Sequence, residues 1–215
     1  MINKSETIKA MQLIFSPEIR KIGHVIVKHY ERRQDAIIWS KVEDLEMMLQ
    51  QHETEKTSLG FAFAVRRLDF RFNGFSQGSK QDCAAIQTLQ VDFDSLQADK
   101  DEGRPLSPDS KDAVVSAMRD APLKPTMVID SGGGVHGYWI LKRPVILKSN
   151  LDINRIESIN RTLMNYFKSL KLPCVVDTSV ADVAHLMRLP GSINFRYKTP
   201  MPVRILEVFD VKPTV

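Results

Sequence analysis

The most informative stretch of this chain is SGGGVHGYW, residues 131–139. It places three consecutive glycines, and a fourth at Gly137, in a protein that has only ten. Glycine loses more backbone entropy on folding than any other residue, so such a run is expected where bare backbone must approach something closely, typically a phosphate. A histidine and an apolar segment up to Leu141 follow at once. This order predicts a loop that leads into a strand.

Taken alone, the glycine loop indicates only a cradle for an anion or another ligand. It is not a P-loop, because no Gly-Lys-Ser/Thr follows, and it is not a dinucleotide-binding Gly-x-Gly-x-x-Gly, because a strand follows where a helix should begin. The predicted donors are the Ser131 hydroxyl, the amides of Gly132, Gly133 and Gly134, and a ring nitrogen of His136. The alternative is a tight turn between two strands, with the histidine facing solvent.

A second pattern, LQVDFD, occupies residues 89–94. Because alternate residues of a strand share one face, Val91 and Phe93 are predicted to point into a core, and Asp92 and Asp94 to point away from it together. Two carboxylates about 7 Å apart on one face repel each other unless a cation lies between them, and hard divalent ions such as Mg²⁺ prefer oxygen ligands. The alternative is a pair of exposed carboxylates at the end of a strand.

A third polar cluster lies nearer the C-terminus. Asp177 ends the apolar run VVD, which is a suitable place for a third carboxylate, and the stretch HLMRLPGSINFR begins at residue 185. This stretch surrounds a Pro-Gly turn with three polar or cationic side chains, those of Arg188, Asn194 and Arg196. For the first of these, the alternative is an ion pair with Asp182.

The composition is that of an ordinary globular protein. The chain has 215 residues, of which 43% are hydrophobic and 26% charged, and no apolar run approaches the length of a membrane span. The first residues lack the layout of a signal peptide, and the two cysteines, Cys83 and Cys174, are far apart. We therefore expect a cytoplasmic protein with reduced thiols and no cysteine zinc site. The net charge of +4 permits a polyanionic partner but does not require one.

The order of predicted elements indicates a mixed α/β chain. Residues 1–56 read as a helical segment, in which a helix that begins at Ser16 carries an apolar stripe as far as Tyr30. After residue 56, short strands alternate with helices, which excludes a purely parallel sheet. The clearest helix is predicted from Ser149 to Leu170, and the charged residues 95–110 are predicted to form a mobile excursion.

The joint order of the three patterns is far more specific than any one of them. It resembles the archaeo-eukaryotic primase superfamily, in particular the primase-polymerase branch of plasmid, phage and CRISPR-associated replication proteins. The similarity extends from about Phe61 to Arg196. It implies an α+β fold in which an N-terminal α/β unit packs on an RRM-like antiparallel sheet, with the active site in the cleft between them. Residues 57–215 would form this catalytic core.

The resemblance also implies a role for each motif residue. Asp92, Asp94 and Asp177 would be catalytic and would ligate two divalent ions, Mg²⁺ or Mn²⁺. Ser131 and His136 would contact the phosphates of the incoming nucleotide. Nucleotide or template would meet the three residues of the last motif, Arg188, Asn194 and Arg196. This sequence departs from the family pattern by its glycine insertion, and by Ser192 and Arg196 where Thr and Lys are more usual.

The function that follows from the resemblance is template-directed nucleotidyl transfer, by a DNA primase, a DNA polymerase or both. The partners would be a single-stranded DNA template, a primer, NTPs or dNTPs, and a helicase supplied in cis or in trans. The basic pair Arg66 and Arg67 is a candidate for tracking the template backbone. Phe93 and Tyr138 are candidates for discriminating the sugar. Two alternatives stay open: a replication-initiator DNA-binding module with an idle site, and a metal-dependent nuclease.

Overall fold

The computed structural model describes residues 2–30, 36–39, 42–71 and 77–214. The sequence also has a basic pair at residues 32–33, which lies outside this set. The described part contains six α-helices: α1 Lys4–Ile14, α2 Pro17–Ile22, α3 Val42–Glu55, α4 Gln97–Asp101, α5 Pro108–Asp120 and α6 Asn150–Ser169. It contains twelve strands: β1 Val25–His29, β2 Ala36–Trp39, β3 Leu59–Ala62, β4 Ala64–Arg66, β5 Cys83–Asp94, β6 Met127–Asp130, β7 Val135–Ile146, β8 Val175–Asp177, β9 Leu186–Arg188, β10 Ile193–Asn194, β11 Met201–Pro202 and β12 Arg204–Val208.

Two antiparallel sheets organise the molecule. The larger one has the strand order β12-β6-β7-β5-β4, and β8 pairs with the far end of β5. The smaller one has the order β2-β1-β3-β9, and β10 pairs with β11 separately. The fold is therefore α+β with antiparallel sheets, as the sequence predicts.

Alternation along β7 explains how the layers pack. Tyr138 and Trp139 are adjacent and both fully buried, so they must point to opposite faces of the larger sheet. Tyr138 packs edge-on against Phe63, with ring centroids 4.9 Å apart, on the side of the smaller sheet. Trp139 meets Phe167 of α6 on the other side, with centroids 5.6 Å apart. One face of the larger sheet is thus covered by helices, and the other faces the smaller sheet.

The prediction of a single helix through Tyr30 is wrong. The helix α2 ends at Ile22, and Val25–His29 form strand β1, which pairs with β3. Two local features account for the change: Gly23 adopts an extended conformation, and the run that follows is rich in β-branched residues, which favour strands. The boundary proposed at residue 56 falls between α3 and β3, so strands from both sides of it share the smaller sheet.

The predicted C-terminal helix is confirmed as α6. The hydroxyl of its N-cap Ser149 accepts a hydrogen bond from the Asp152 amide, and the Asp152 carboxylate accepts one from the Ser149 amide, which completes a capping box. By contrast, the charged segment after β5, residues 95–110, which was predicted to be mobile, is held in place by hydrogen bonds. Ser95 Oγ donates to the carbonyl of Arg104, and the Leu106 amide donates to the carbonyl of Gly133, so this segment is attached to the glycine loop.

None of the helices in the described ranges combines the length and the apolar character that crossing a lipid bilayer requires.

Candidate active site

Three carboxylates converge where β5 meets β8. Asp92 lies directly opposite Asp177 in the antiparallel β5–β8 pair, and Asp94 is two residues further along β5 on the same face. Val91 and Phe93, which alternate with these aspartates, are fully buried on the helix-covered side, as predicted. One ligand atom from each aspartate lies within 4.8 Å of the others. The pairing of β8 with β5 is what brings Asp177 to the Asp-x-Asp motif.

Burial and mutual repulsion dominate the electrostatics of this cluster. Burial raises the pKa of Asp92 well above its usual range, the charges of Asp94 and Asp177 raise it further, and the cations of Lys100 and Arg188 oppose the shift. The Oδ1 atom of Asp92 is buried and forms no hydrogen bond with the described residues, although Nε2 of His136 lies 3.4 Å away. An orphaned buried oxygen beside two further carboxylates fits a divalent cation, which would satisfy the oxygen and cancel the repulsion.

One protein cation already contacts the carboxylate cluster. Lys100, on α4, places its Nζ 2.7 Å from Oδ2 of Asp94. Its side chain is only 25% exposed, so solvent screens this ion pair incompletely. The pKa of Lys100 is raised: burial opposes the shift, but the hydrogen bond and charge of Asp94 and the charges of the other two aspartates outweigh it. The segment of residues 95–110, which contains α4, brings this ammonium to the carboxylate cluster.

His136 lies on the other side of Asp92, opposite it in the β5–β7 pair. Its Nε2 is 3.4 Å from Asp92 Oδ1, and its Nδ1 is 2.8 Å from the hydroxyl of Tyr138. Burial lowers the pKa of His136 to about 3, with further contributions from Arg188 and His185, so the ring is neutral. The nearby carboxylate favours the tautomer with the proton on Nε2. In that tautomer Tyr138 donates to Nδ1, and Nε2–H is left as a donor at the cleft, the pocket lined by the three aspartates, His136, the glycine loop and the last motif.

The glycine loop forms most of its hydrogen bonds with the protein itself. The Gly132 amide donates to Oδ1 of Asp130, and the Gly134 amide donates to Oγ of Ser131. Gly133 differs, because no acceptor within the described ranges meets its amide, although the residue is buried and lines the cleft. Of the three amides expected to cradle a ligand, two therefore already have protein acceptors. The Gly133 amide and the Ser131 hydroxyl proton remain for a ligand.

Packing explains two of the glycines without any ligand. Gly132 has a φ of +83°, which side chains other than glycine's rarely tolerate. Gly134 lies so close to β5 that a Cβ there would be 2.0 Å from the carbonyl oxygen of Phe93. The loop is glycine-rich partly because it passes directly beside the strand that carries the aspartates.

The last motif reaches the cleft from the smaller sheet. Arg188 ends β9, its guanidinium lies 4.0 Å from the ring centroid of Tyr30, and its buried Nη1 meets no hydrogen-bond acceptor in the described part of the chain. The alternative pairing with Asp182 does not occur among the described residues, since Asp182 contacts Lys80 at 3.4 Å instead. Arg196 is exposed and lines the same cleft.

The side chain of Asn194 connects the glycine loop to the last motif by two hydrogen bonds. Its Nδ2 donates to the carbonyl of Ser131 at 3.0 Å, and its Oδ1 accepts from the Arg196 amide at 3.1 Å. The side chain is buried, so it holds the glycine loop against the last motif. Its role in the described geometry is to join these two segments.

Three expectations need correction. Arg66 is fully buried, and its guanidinium donates to the carbonyl of Ala64 and to Cys83 Sγ, so it cannot track a template, whereas Arg67 is exposed. Phe93 and Tyr138 are both fully buried and do not line the cleft, so neither can contact a sugar there. A run of two arginines contains no signal that distinguishes the buried one from the exposed one.

Sequence reasoning also missed residues that line the cleft. Tyr30, His185 and Tyr197 all belong to its wall. His185 is the first residue of the stretch HLMRLPGSINFR and Tyr197 directly follows it, so their position in the sequence was an available signal. Tyr30 arrives from the smaller sheet, and nothing in its local sequence indicates that position.

Solved structures that share this fold include two replication proteins. The archaeo-eukaryotic primase (AEP) domain, PP-N190, of the cyanophage S-2L primase-polymerase matches 99% of this chain and 94% of its own, with a TM-score of 0.61 and 12% identity. Primase RepB′ matches 97% of this chain with a TM-score of 0.54 and 16% identity, and this chain spans 58% of that protein. No protein-family model matches the sequence, and no curated protein matches it significantly. The resemblance noted from the motifs is thus confirmed at the level of the fold.

Proposed function

We propose that this chain, which has the fold of archaeo-eukaryotic primase domains, is a template-directed nucleotidyltransferase that acts as a DNA primase, a DNA polymerase or both. One observation carries the proposal: Asp92, with its orphaned buried oxygen, lies between Asp177 on one neighbouring strand and His136 on the other. Carboxylates that can hold divalent ions and a neutral donor that can hold a phosphate are therefore adjacent. Both groups suit the joining of a nucleotide to a 3′-hydroxyl, because metal ions activate the hydroxyl and oriented donors stabilise the phosphate charge.

Asp92, Asp94 and Asp177 would hold two divalent ions, Mg²⁺ or Mn²⁺. When bound, such ions lower the pKa of the attacking 3′-hydroxyl and neutralise the triphosphate and the leaving pyrophosphate. The chain's own contribution is to fix the three carboxylates before the ions arrive. The antiparallel register of β5 and β8 does this for Asp92 and Asp177.

The triphosphate would be held by donors that have no acceptor among residues 2–30, 36–39, 42–71 and 77–214. These are the Nε2–H of neutral His136, the amide of Gly133 and the hydroxyl of Ser131. Arg188, whose Nη1 has no acceptor among the described residues, and the exposed Arg196 would add positive charge opposite the carboxylates. Donors that are already oriented cost no rearrangement when negative charge develops, so they favour transfer.

The substrates in this proposal are single-stranded DNA, a primer terminus, and NTPs or dNTPs. The exposed Arg67 stays a candidate for the template backbone, and a helicase is a proposed partner. Both cysteines are free thiols, which is consistent with a cytoplasmic location.

The test is nucleotide incorporation on a single-stranded template, with and without a primer, with NTPs and dNTPs in separate reactions. We expect incorporation that requires Mg²⁺ or Mn²⁺, and a loss of at least a hundredfold in Asp92→Asn and Asp94→Asn. Asp210→Asn, which removes an exposed carboxylate outside the cleft, serves as the matched control.

Three outcomes would overturn the proposal. Full incorporation by Asp92→Asn would remove the carboxylates from the mechanism. Metal-dependent cleavage of the template without any incorporation would identify a nuclease, and sequence-specific duplex binding with neither activity would identify an initiator module.

A further inference from the structure

An ion pair lies directly against the glycine loop, outside the cleft. Asp130 is the last residue of β6, and Lys111 lies in α5. The Nζ of Lys111 is 2.7 Å from Oδ1 of Asp130, and the two side chains are only 12% and 24% exposed. None of the motifs recognised in the sequence includes either residue.

Together these two residues hold both polar backbone groups of Gly132. The Nζ of Lys111 donates to the Gly132 carbonyl at 3.1 Å, and Oδ1 of Asp130 accepts from the Gly132 amide at 2.8 Å. Gly132 is also the loop residue with a positive φ. Fixing both of its peptide groups fixes the direction in which the next residue, Gly133, presents its amide.

The rest of the loop leaves that amide as its one unused backbone donor. The Ser131 amide donates to the Gly134 carbonyl, and the Gly133 carbonyl accepts from the Leu106 amide. From Ser131 to Gly134, each backbone N–H and C=O has a protein partner within the described ranges except the Gly133 N–H. A buried amide without an acceptor is costly, so an anionic ligand at this position would relieve that cost.

The charge of Asp130 would oppose such a ligand. Its carboxylate accepts from the amide next to the one that would bind a phosphate oxygen, and two negative groups so close together repel strongly when partly shielded from water. The ammonium of Lys111 cancels that charge. Lys111 itself is mostly buried and donates to two protein oxygens, so its ammonium is directed into the loop and not toward the cleft.

We propose that Lys111 is a positioning residue for a nucleoside triphosphate: it neutralises Asp130 and, through Gly132, directs the Gly133 amide at a phosphate oxygen. This inference rests on the proposed function, because it assigns the phosphate seat of that same cleft. Lys111 does not touch the nucleotide. It acts through the loop, and its effect must depend on the charge of Asp130.

The inference can be tested because the effect of Lys111 should disappear when Asp130 carries no charge. Binding of ATP and dATP in the presence of Mg²⁺ is measured by calorimetry, with inorganic tripolyphosphate as a competitor, for the full chain. We expect Lys111→Met to weaken triphosphate binding about tenfold and to raise KM more than it lowers kcat. The double variant Lys111→Met with Asp130→Asn should recover most of the affinity, because asparagine still accepts from the Gly132 amide but is uncharged. Lys124→Met, an exposed lysine, is the control.

A purely structural role would give a different pattern. The double variant would then bind no better than Lys111→Met, and that result would overturn the inference, as would wild-type affinity in Lys111→Met. If Lys111→Met does not fold, Asp130→Asn alone decides: affinity equal to or above the wild type supports the inference, and a tenfold loss overturns it. Failure of the wild-type protein to bind any triphosphate would instead reject the proposed function.

Discussion

The ammonium of Lys100 lies 2.7 Å from the carboxylate of Asp94, so a cation of the chain itself contacts the cluster of aspartates. This ion pair offsets part of the repulsion among the three carboxylates. It also means that a divalent ion at Asp94 must compete with a tethered positive charge.

We therefore expect Lys100→Gln to bind Mn²⁺ at least threefold more tightly than the wild type. The metal-free variant should also unfold at a lower temperature, because its carboxylates lose their neutralising partner. Calorimetric titration with Mn²⁺ and thermal unfolding in EDTA measure the two effects. Lys148→Gln, at an exposed lysine far along the chain, is the control. Weaker Mn²⁺ binding by Lys100→Gln would show that the lysine supports the metal site and does not compete with it.

The lowered pKa of His136 predicts how the free energy of unfolding changes with pH. Its folded value of about 3 lies below the ordinary value of 6.5, so the unfolded chain takes up the proton first as the pH falls. The stabilisation from neutral His136 is complete above about pH 6.5 and is lost toward pH 3, at up to about 1.4 kcal/mol per pH unit. His136→Gln should flatten this part of the profile, as followed by urea unfolding in EDTA between pH 7.5 and 4.5. An unchanged slope would contradict the assignment of a neutral ring.

The same variant tests the role of His136 in the cleft. We expect His136→Gln to weaken triphosphate binding more than it weakens binding of single-stranded DNA, because the lost Nε2–H donor faces the proposed phosphate seat. Fluorescence anisotropy with a labelled oligonucleotide and calorimetry with dATP give the two affinities. Equal losses in both would indicate a general disturbance of the cleft.

Arg66 and Arg67 are neighbours in the sequence but should respond very differently to mutation. Arg66→Met removes donors from the buried carbonyl of Ala64, so the free energy of unfolding should fall by about 2–4 kcal/mol. Arg67→Met should change it by less than about 0.5 kcal/mol, because that side chain is exposed. Urea unfolding of both variants measures the two changes in the free energy of unfolding. A stable Arg66→Met variant with weakened DNA binding would restore the template role expected from the sequence.

Gly134→Ala tests the close approach of the glycine loop to β5. A methyl group there would meet the Phe93 carbonyl oxygen, so the strands must separate beside Asp92 and Asp94. We expect a loss of stability of about 2–4 kcal/mol together with weaker Mn²⁺ binding. Gly103→Ala is the matched control, since a Cβ at Gly103 has open space around it and only the cost of its positive φ, about 1–2 kcal/mol, should appear. Equal effects in the two variants would contradict this account.

The sequence predicts those parts of the site that depend on local periodicity and on recognisable motifs. The alternation in LQVDFD correctly places Asp92 and Asp94 on the face away from Val91 and Phe93, and the capping residues correctly start α6 at Asn150. These features depend on neighbours within a few residues, so a single sequence contains them.

What the sequence could not predict depends on distant contacts. The apolar spacing between Ile19 and Tyr30 fits a helix, but pairing with β3 selects a strand for Val25–His29. Lys100 and Lys111 look like ordinary surface lysines until the excursion and α5 pack against the cleft and the loop. Two amides of the predicted three-amide cradle already have acceptors: Asp130, a residue outside the motif, accepts from Gly132, and Ser131 accepts from Gly134.

The pairing of β8 with β5 has a consequence for the dynamics of the cleft. The strand β8 has only three residues and hydrogen-bonds to a single neighbour, whereas β5 has twelve residues and lies between paired strands. Short edge strands open by local unfolding at a lower free energy than central strands, so the amides of β8 should exchange with deuterium faster than those of β5. Because Asp177 leaves the cluster each time β8 opens, a bound divalent ion would slow that exchange. The third carboxylate thus makes metal binding and the anchoring of this edge strand one linked equilibrium.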